Sequence, residues 1–259
     1  MKSAFKNFLK YRFLLVELVK KDIKLKYRRS YLGLFWTLLE PLLTMLVLYV
    51  VFSQLYGKSD RTFAVYILTG RLLYTFFSNA TKGAMKSIRS NSGMIKKVYV
   101  PKYIYPLASV ISNYVIFLLS LIVLIPVSLF VGVFPTKHII QIVAPLFMIF
   151  IMALGVGMIL ATLAVFFRDL EYLWGVVLLL IMYCSAIFYE PSRVVKTGYG
   201  WIFHLNPLYS LISNFRSAVL YHQRMDFGAF WYATAFSVVC LAVGVFIFYK
   251  KQDDFILNI

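Results

Sequence analysis

Apolar positions fall into six long continuous runs, near Leu34 to Leu55, Phe63 to Ala80, Leu107 to Val131, Ile139 to Phe167, Tyr172 to Tyr189 and Phe230 to Tyr249. A run of about 20 apolar residues matches the hydrocarbon thickness of a bilayer. In lipid every backbone polar group must be satisfied within the protein, which leaves helices or a closed barrel. None of the runs alternates with period two. The pattern therefore predicts an all-α integral membrane protein with six transmembrane helices.

Two amphipathic patterns flank these runs. Ahead of the first, Phe5, Phe8, Leu9, Phe13, Val16, Val19, Ile23 and Tyr27 recur at roughly helical spacing, while Lys10, Glu17, Lys21, Lys24 and Arg28 recur on another face. This predicts a helix in residues 1–33 lying in the membrane interface, ahead of a six-span domain over 34–259. Such a helix is either a plain anchor or a surface on which a partner pushes. Between the fifth and sixth runs, residues 190–229 are too apolar for a loop, and Pro191, Gly198, Gly200, Asn206 and Pro207 interrupt them too often for one span. Asn206 before Pro207 is a helix start, a capping side chain followed by a residue whose missing N–H costs nothing there. Leu208, Leu211, Ile212, Phe215 and Val219 continue it as an apolar stripe. Two short re-entrant helices result, which either form the outer mouth of a pathway or rest on the interface.

Composition agrees: 61% hydrophobic and 14% charged residues, with mean hydropathy +0.80, make lipid the solvent for much of the chain. The formal charge of +17, from 27 basic and 10 acidic residues, suggests nucleic acid until the charges are sorted by position. Nineteen basic residues fall in 1–33, 81–106, 168–171 and 250–259, against seven in the loops of the other side. That bias places both termini in the cytoplasm and explains the charge as topology. Residues 1–33 hold ten basic residues and no signal-like apolar core with a cleavage site. Cys184 and Cys240 sit in apolar runs and imply no disulfide framework; His138, His204 and His222 lack metal-ligand spacing, so no metal is expected.

Residues 82–107 carry six basic residues and no acid. Ala84, Met85 and Ile88 can form one short helical face, and Met94, Ile95 and Val98 a second, before Pro101 and Pro106 return the chain to the membrane. The segment reads either as a loop that sets topology or as a docking helix for a soluble subunit. Ala153, Gly157 and Ala161 provide small residues at four-residue spacing, expected to pack within the chain. Arg168, Asp169 and Glu171 form an interfacial charge cluster. Within spans, Glu40 in the first and Arg71 in the second are costly unless they pair or face water.

The stretches RRSYLGLFWTLLEPLL, AVYILTGRLLYTFFSNA, NSGMIKKVYVPKYIYPL, ATLAVFFRDLEYLW, SAIFYEP and LNPLYSLISNFRSAVL, in this order, resemble the ABC-2 type permeases that export polysaccharides such as O-antigen and teichoic acid. The resemblance implies a permease in a bacterial cytoplasmic membrane that forms a homodimer around a central pathway and works with two copies of a separate ABC ATPase. Ser87, Ile88, Arg89, Asn91, Met94, Ile95, Lys96 and Lys97 would couple to that ATPase, together with Lys10, Lys21, Lys24 and Arg28 of the arm. Tyr49, Phe52, Tyr56, Tyr183, Phe188 and Tyr189 are candidates to line the conduit, or ordinary packing aromatics. Trp201, Asn206, Pro207 and Phe215 would belong to an outer gate. Glu40-Pro41 is then part of the first-span opening, with a local bend where Pro41 cannot donate. Arg71 stands where family members usually carry an apolar residue and Tyr74 where tryptophan is common, so a Glu40–Arg71 pair is no general family device.

On this reading the chain binds no cofactor; ATP and Mg belong to the partner. Gly57-Lys58-Ser59 looks like the end of a phosphate loop, but Phe52 stands where the required glycine would be. An ABC-2 exporter of drugs or lipids would share the architecture. An integral glycosyltransferase would need a carboxylate cluster, and only Asp169 and Glu171 come close. A passive channel would work without ATP.

Overall fold

The computed structural model describes residues 2–28, 30–56, 60–98 and 100–258, and no strand occurs among them. The side chains of Phe5, Phe8, Leu9 and Tyr56, and the Gly57-Lys58-Ser59 stretch, lie outside the described set. Thirteen α-helices follow in order among the described residues. The arm is α1 (Lys2–Tyr27); a 3-10 turn at Gly33–Phe35 leads into α2 (Trp36–Tyr56), then α3 (Thr62–Ser90) and the single turn α4 (Ser92–Ile95). Next, α5 (Ile104–Ser120) continues through a 3-10 turn into α6 (Leu124–Val131), and a second 3-10 segment precedes α7 (Val143–Phe166). The rest comprises α8 (Leu170–Tyr183), α9 (Pro191–Val195), α10 (Trp201–Leu205), α11 (Pro207–Val219), α12 (Phe227–Lys251) and α13 (Phe255–Asn258).

Among the described residues, four helical stretches are long and apolar enough to cross a membrane: Gly33–Leu55, Ile104–Val131, Lys137–Phe166 and Phe227–Asp254. The other two expected spans depart from the sequence reading. The second is longer than Phe63 to Ala80, because α3 runs unbroken to Ser90. Its 29 residues extend about 43 Å at 1.5 Å per residue. It is surrounded by α2, α5, α7 and α11, with every residue from Phe63 to Gly70 buried, so Tyr66 and Thr69 meet protein, while Asn79, Lys82 and Lys86 farther along are exposed. The fifth is shorter than Tyr172 to Tyr189. Helix α8 stops at Tyr183, and its 14 residues give about 21 Å. Residues 184–190 turn instead, with Ala186 at φ +46.

The most extensive contact in the bundle is a glycine seam between α7 and α12. A Cβ on Gly155 would stand 2.5 Å from the backbone nitrogen of Leu241, and one on Gly244 2.5 Å from the carbonyl of Gly155. Two backbones approach this closely only where side chains are missing. The predicted small-residue stripe packs within the chain on a different neighbour: Ala153 and Ala161 are fully buried, and a Cβ on Gly157 would lie 2.8 Å from that of Ala84 on α3.

One apolar cluster joins Leu15 and Leu18 of α1, Ile88, Ile95, Ile104 and Tyr105, and Phe248 and Phe255 near the end of the chain. Both termini therefore lie at one end of the bundle. Phe63, Tyr66 and Ile67 form a separate cluster with Leu220 at the other end. Along α3, Phe63 and Ile88 are about 37 Å apart.

The arm is helical and carries its polar face as expected, with Lys10, Glu17, Lys21, Lys24 and Arg28 all exposed. Its packed face is rotated from the predicted one. Leu15 and Leu18 are buried, flanked by Tyr11, Leu14 and Val19, while Phe13 is 76% exposed and Val16 is also exposed. Sequence spacing defines two faces of a helix in an interface, but contact with the start of α5 selects which residues touch protein.

Candidate functional site

Polar chemistry gathers in three places, beginning at the end of the bundle that holds both termini. There Glu171, in the first turn of α8, bridges Lys86 at 3.0 Å and Arg89 at 3.2 Å on α3. The expected charge cluster thus ties α8 to the last turns of α3. Lys21 of the arm donates to Asn91 Oδ1 at 3.3 Å, and Asn91 Nδ2 donates to the Ser87 carbonyl at 2.8 Å. Lys102 donates to the Gln252 carbonyl and lies over the Phe255 ring. Arm, inter-helix segment and C-terminal turn are thereby stitched together.

Of the eight residues expected to form a coupling loop, Ser87, Ile88 and Arg89 are helical residues of α3. Ser87 and Ile88 are buried, and so is Ile95 of α4, so they pack inside the protomer. Ser87 and Ile88 face the α3 interior packing because the helix did not stop where the apolar run ended. Met94, Lys96 and Lys97 are exposed, as is Val98 beside them. A partner can touch these four directly.

A polar cleft opens between α2, α3 and α5. It is lined by Lys26, Thr37, Glu40, Pro41, Arg71, Thr75, Asn79 and Asn113, among others. Helix α2 continues through Pro41, and Thr37, four residues earlier, turns its hydroxyl to the Leu34 carbonyl at 2.7 Å. Glu40 and Arg71, the candidate charge pair, share the cleft but form no ion pair within 4.0 Å. Arg71 NH1 sits 3.7 Å from Met182 Sδ, and the guanidinium stands 5.9 Å from the centre of the Tyr74 ring. The cation nearest in effect to Glu40 is Lys26 of the arm: burial lowers the Lys26 pKa, and the Glu40 charge opposes that shift. A second cleft, lined by Asp22, Lys26, Gly83, Lys86, Ser90 and Asn113, adjoins the first along α3. Burial raises the Asp22 pKa there, opposed by Lys21.

At the opposite end, Asn206 does what the Asn-Pro pair predicts. Its Oδ1 accepts from the backbone N–H of Leu208 at 3.0 Å and Tyr209 at 3.3 Å, with Pro207 in the first turn. Its Nδ2 donates to the Cys184 carbonyl and to Ser185 Oγ, both at 3.0 Å. One side chain caps α11 and holds the turn that follows α8. Phe215 is fully buried, so it anchors α11 rather than presenting a surface, whereas Trp201 is 57% exposed.

Arg216 is the residue that sequence reasoning misplaced, having counted it among loop charges. It is 2% exposed. Its guanidinium donates to the Tyr66 carbonyl at 2.9 Å, the Ala186 carbonyl at 3.0 Å and Thr69 Oγ1 at 3.4 Å, and covers the Tyr66 ring at 3.5 Å. Tyr66 OH lies 2.7 Å from both the Ala186 and Tyr189 carbonyls. A Cβ on Gly70 would collide with the guanidinium. One signal was present: Arg216 falls four residues after Ile212, on the apolar face of α11.

The candidate conduit aromatics divide. Phe52 stacks on Phe188 with centroids 5.3 Å apart and planes 7° from parallel. Phe188 is only 6% exposed, which makes it a packing residue of the protomer. Tyr49 is half-buried against the same cluster, Tyr183 is 55% exposed, and Tyr189 is half-buried with its hydroxyl on the Tyr183 carbonyl. The end of α2 and the turn after α8 are thus brought together. Among the described residues no group of three His, Cys, Asp or Glu side chains could hold a metal ion.

A family model described as ABC-2 type transporter matches residues 14–220. An O-antigen export system permease protein of Klebsiella pneumoniae is 30% identical over 98% of both chains. One of Myxococcus xanthus is 28% identical over 96% of both chains. The polysialic acid transport protein of Escherichia coli is 21% identical, covering 90% of this chain and 91% of its own.

Proposed function

The chain belongs to the ABC-2 type transporter family, and from that premise we propose that it is the permease subunit of an ABC exporter that moves a polysaccharide across a bacterial cytoplasmic membrane. The observation that carries this reading is end-to-end similarity to an O-antigen export permease, over 98% of both chains. On this reading the chain carries no complete phosphate-loop motif, and a separate ABC ATPase supplies the energy.

The proposed topology has six spans with both termini cytoplasmic. The charge bias and the shared cluster of both termini support it. Helix α3 crosses inside a sheath of other helices, and α8 crosses with help from the turn after it. The ATPase would press on Met94, Lys96, Lys97 and Val98 and on the exposed lysines of the arm. Glu171 then carries that push from α3 to α8, and Asn206 and Arg216 carry it on to α11, α10 and Trp201 at the outer mouth. A homodimer would place the exposed apolar faces of α2 and α8 toward the partner copy, with Tyr49, Phe52, Tyr183 and Tyr189 near the conduit. Sugar rings stack on aromatic faces without sequence-like specificity, which suits a sliding polymer.

Deleting the gene and fractionating the cells tests this. The expected result is loss of one surface glycan with its accumulation inside, restored by the chain together with its co-purifying ATPase. Normal delivery of every surface glycan in the deletion strain overturns it.

A further inference from the structure

The cleft between α2, α3 and α5 holds charges that the coupling pathway above does not use. Among the described residues, the Arg71 side chain meets only a thioether at 3.7 Å and an aromatic ring. A methionine sulfur is a weak acceptor, and a guanidinium presents five N–H groups. An arginine in a membrane-spanning helix is expensive unless an anion, water or carbonyls receive those groups. Thr75 and Asn79 follow Arg71 at four-residue spacing, so the three line one face of α3 over about 12 Å. Asn113 of α5 and Lys26 of the arm close the cleft, and Glu40 is its acid. Lys26 and Asn113 also border the adjoining cleft, whose charged groups are Asp22 and Lys86, the latter engaged by Glu171. Two cations and one carboxylate line the cleft together with hydroxyl and amide groups, a set of donors suited to a single oxyanion. The cleft lies between α2, α3 and α5 beside the arm, within reach of a lipid head group if the arm rests in the interface as its amphipathic pattern suggests.

We propose that this cleft binds the phosphate group of a membrane amphiphile, with Arg71 and Lys26 as the charged contacts and Thr75, Asn79 and Asn113 as hydrogen-bonding partners. Guanidinium suits the task because its planar fork meets two phosphate oxygens at once. The proposal rests on the membrane setting and not on which polymer is exported. The phosphate can belong to an anionic phospholipid or to a polyprenyl-linked glycan.

Native mass spectrometry of the full-length detergent-solubilised chain, mixed with equal amounts of phosphatidylglycerol and phosphatidylcholine, reads the site. Wild type is expected to retain the anionic lipid at least about fivefold over the zwitterionic one. Retention should fall about tenfold in R71Q, fall less in R71K, and stay unchanged in K196Q, at an exposed position after α9. If R71Q does not fold, Asn79→Leu, at an exposed position of α3 in the same cleft, gives the same readout. Equal retention of the two lipids by wild type, or undiminished retention by the folded cleft variants, overturns the site. Lipid extracted from protein purified with and without glycan synthesis then assigns the source. A glycerophospholipid or a polyprenyl phosphate each supports the site, and absence of any phosphorylated lipid at near-stoichiometric level overturns it.

Discussion

Arg216 on α11 reaches the carbonyl of Ala186, 30 residues earlier in the turn after α8, at 3.0 Å. Ala186 holds φ +46, a conformation costing a residue with a Cβ about 1–2 kcal/mol. Its carbonyl is received by both Arg216 and Tyr66 OH, so the turn is held from two helices. Arg216→Met keeps much of the packing but removes the guanidinium's bonds to Tyr66, Ala186 and Thr69 and its charge over the Tyr66 ring. It should destabilise the folded chain by about 3 kcal/mol or more, read as a fall in thermal midpoint in detergent. Arg216→Lys should rescue little, since one ammonium cannot reproduce a fork that meets three acceptors. Full stability of either variant would count against the node.

Asn206 separates capping from bridging. Asn206→Ala loses both and should cost about 1–2 kcal/mol. Asn206→Asp keeps the acceptor that caps α11 but replaces the Nδ2 donor with an oxygen facing the Cys184 carbonyl. If bridging matters, the aspartate variant is as unstable as the alanine one at neutral pH and recovers on acidification, when a protonated carboxyl can donate again. An aspartate variant as stable as wild type at neutral pH would leave only the cap.

The glycine seam makes a contrast between two Gly→Ala changes. Gly155→Ala drives a methyl into the backbone of Leu241 and should abolish folding or lower the thermal midpoint sharply. Gly175→Ala on α8 meets nothing within 4 Å and should be neutral or slightly stabilising, by up to about 1 kcal/mol from helix propensity. Equal behaviour of the two variants would remove the seam from the account of how α7 and α12 pack.

Asp22 carries a pH prediction. Burial raises its carboxyl pKa, so the folded state favours the protonated form more than the unfolded state does. Its contribution is therefore most favourable at acid pH and is lost as pH rises through the raised value. Asp22→Asn should stabilise the chain at neutral pH, with the advantage shrinking toward pH 4. Parallel thermal scans across that range check it, and a constant difference would argue against a titrating Asp22.

The hydrophobic pattern alone marked out helices in lipid, the exposed polar face of the arm, and the Asn-Pro start of α11. Each of these is local: periodicity and capping involve residues within a few positions of one another. It also marked the inter-helix segment as basic and acid-free, and Lys96 and Lys97 within it are exposed. The resemblance to the ABC-2 type permeases rested on the same residues.

Tertiary structure decided what those elements touch. Whether α3 ended at Ala80 or Ser90 depended on neighbours that accept its polar residues, since a helix sheathed in protein need not be apolar. The rotation of the arm, the burial of Arg216 and the separate courses of Glu40 and Arg71 each depend on partners 30 to 150 residues away. A lone charge in a span looks alike in sequence whether an acid, a row of carbonyls or a cleft receives it. Only the packing of distant helices supplies the receiver, because pairwise energies of this kind leave no periodic trace along the chain.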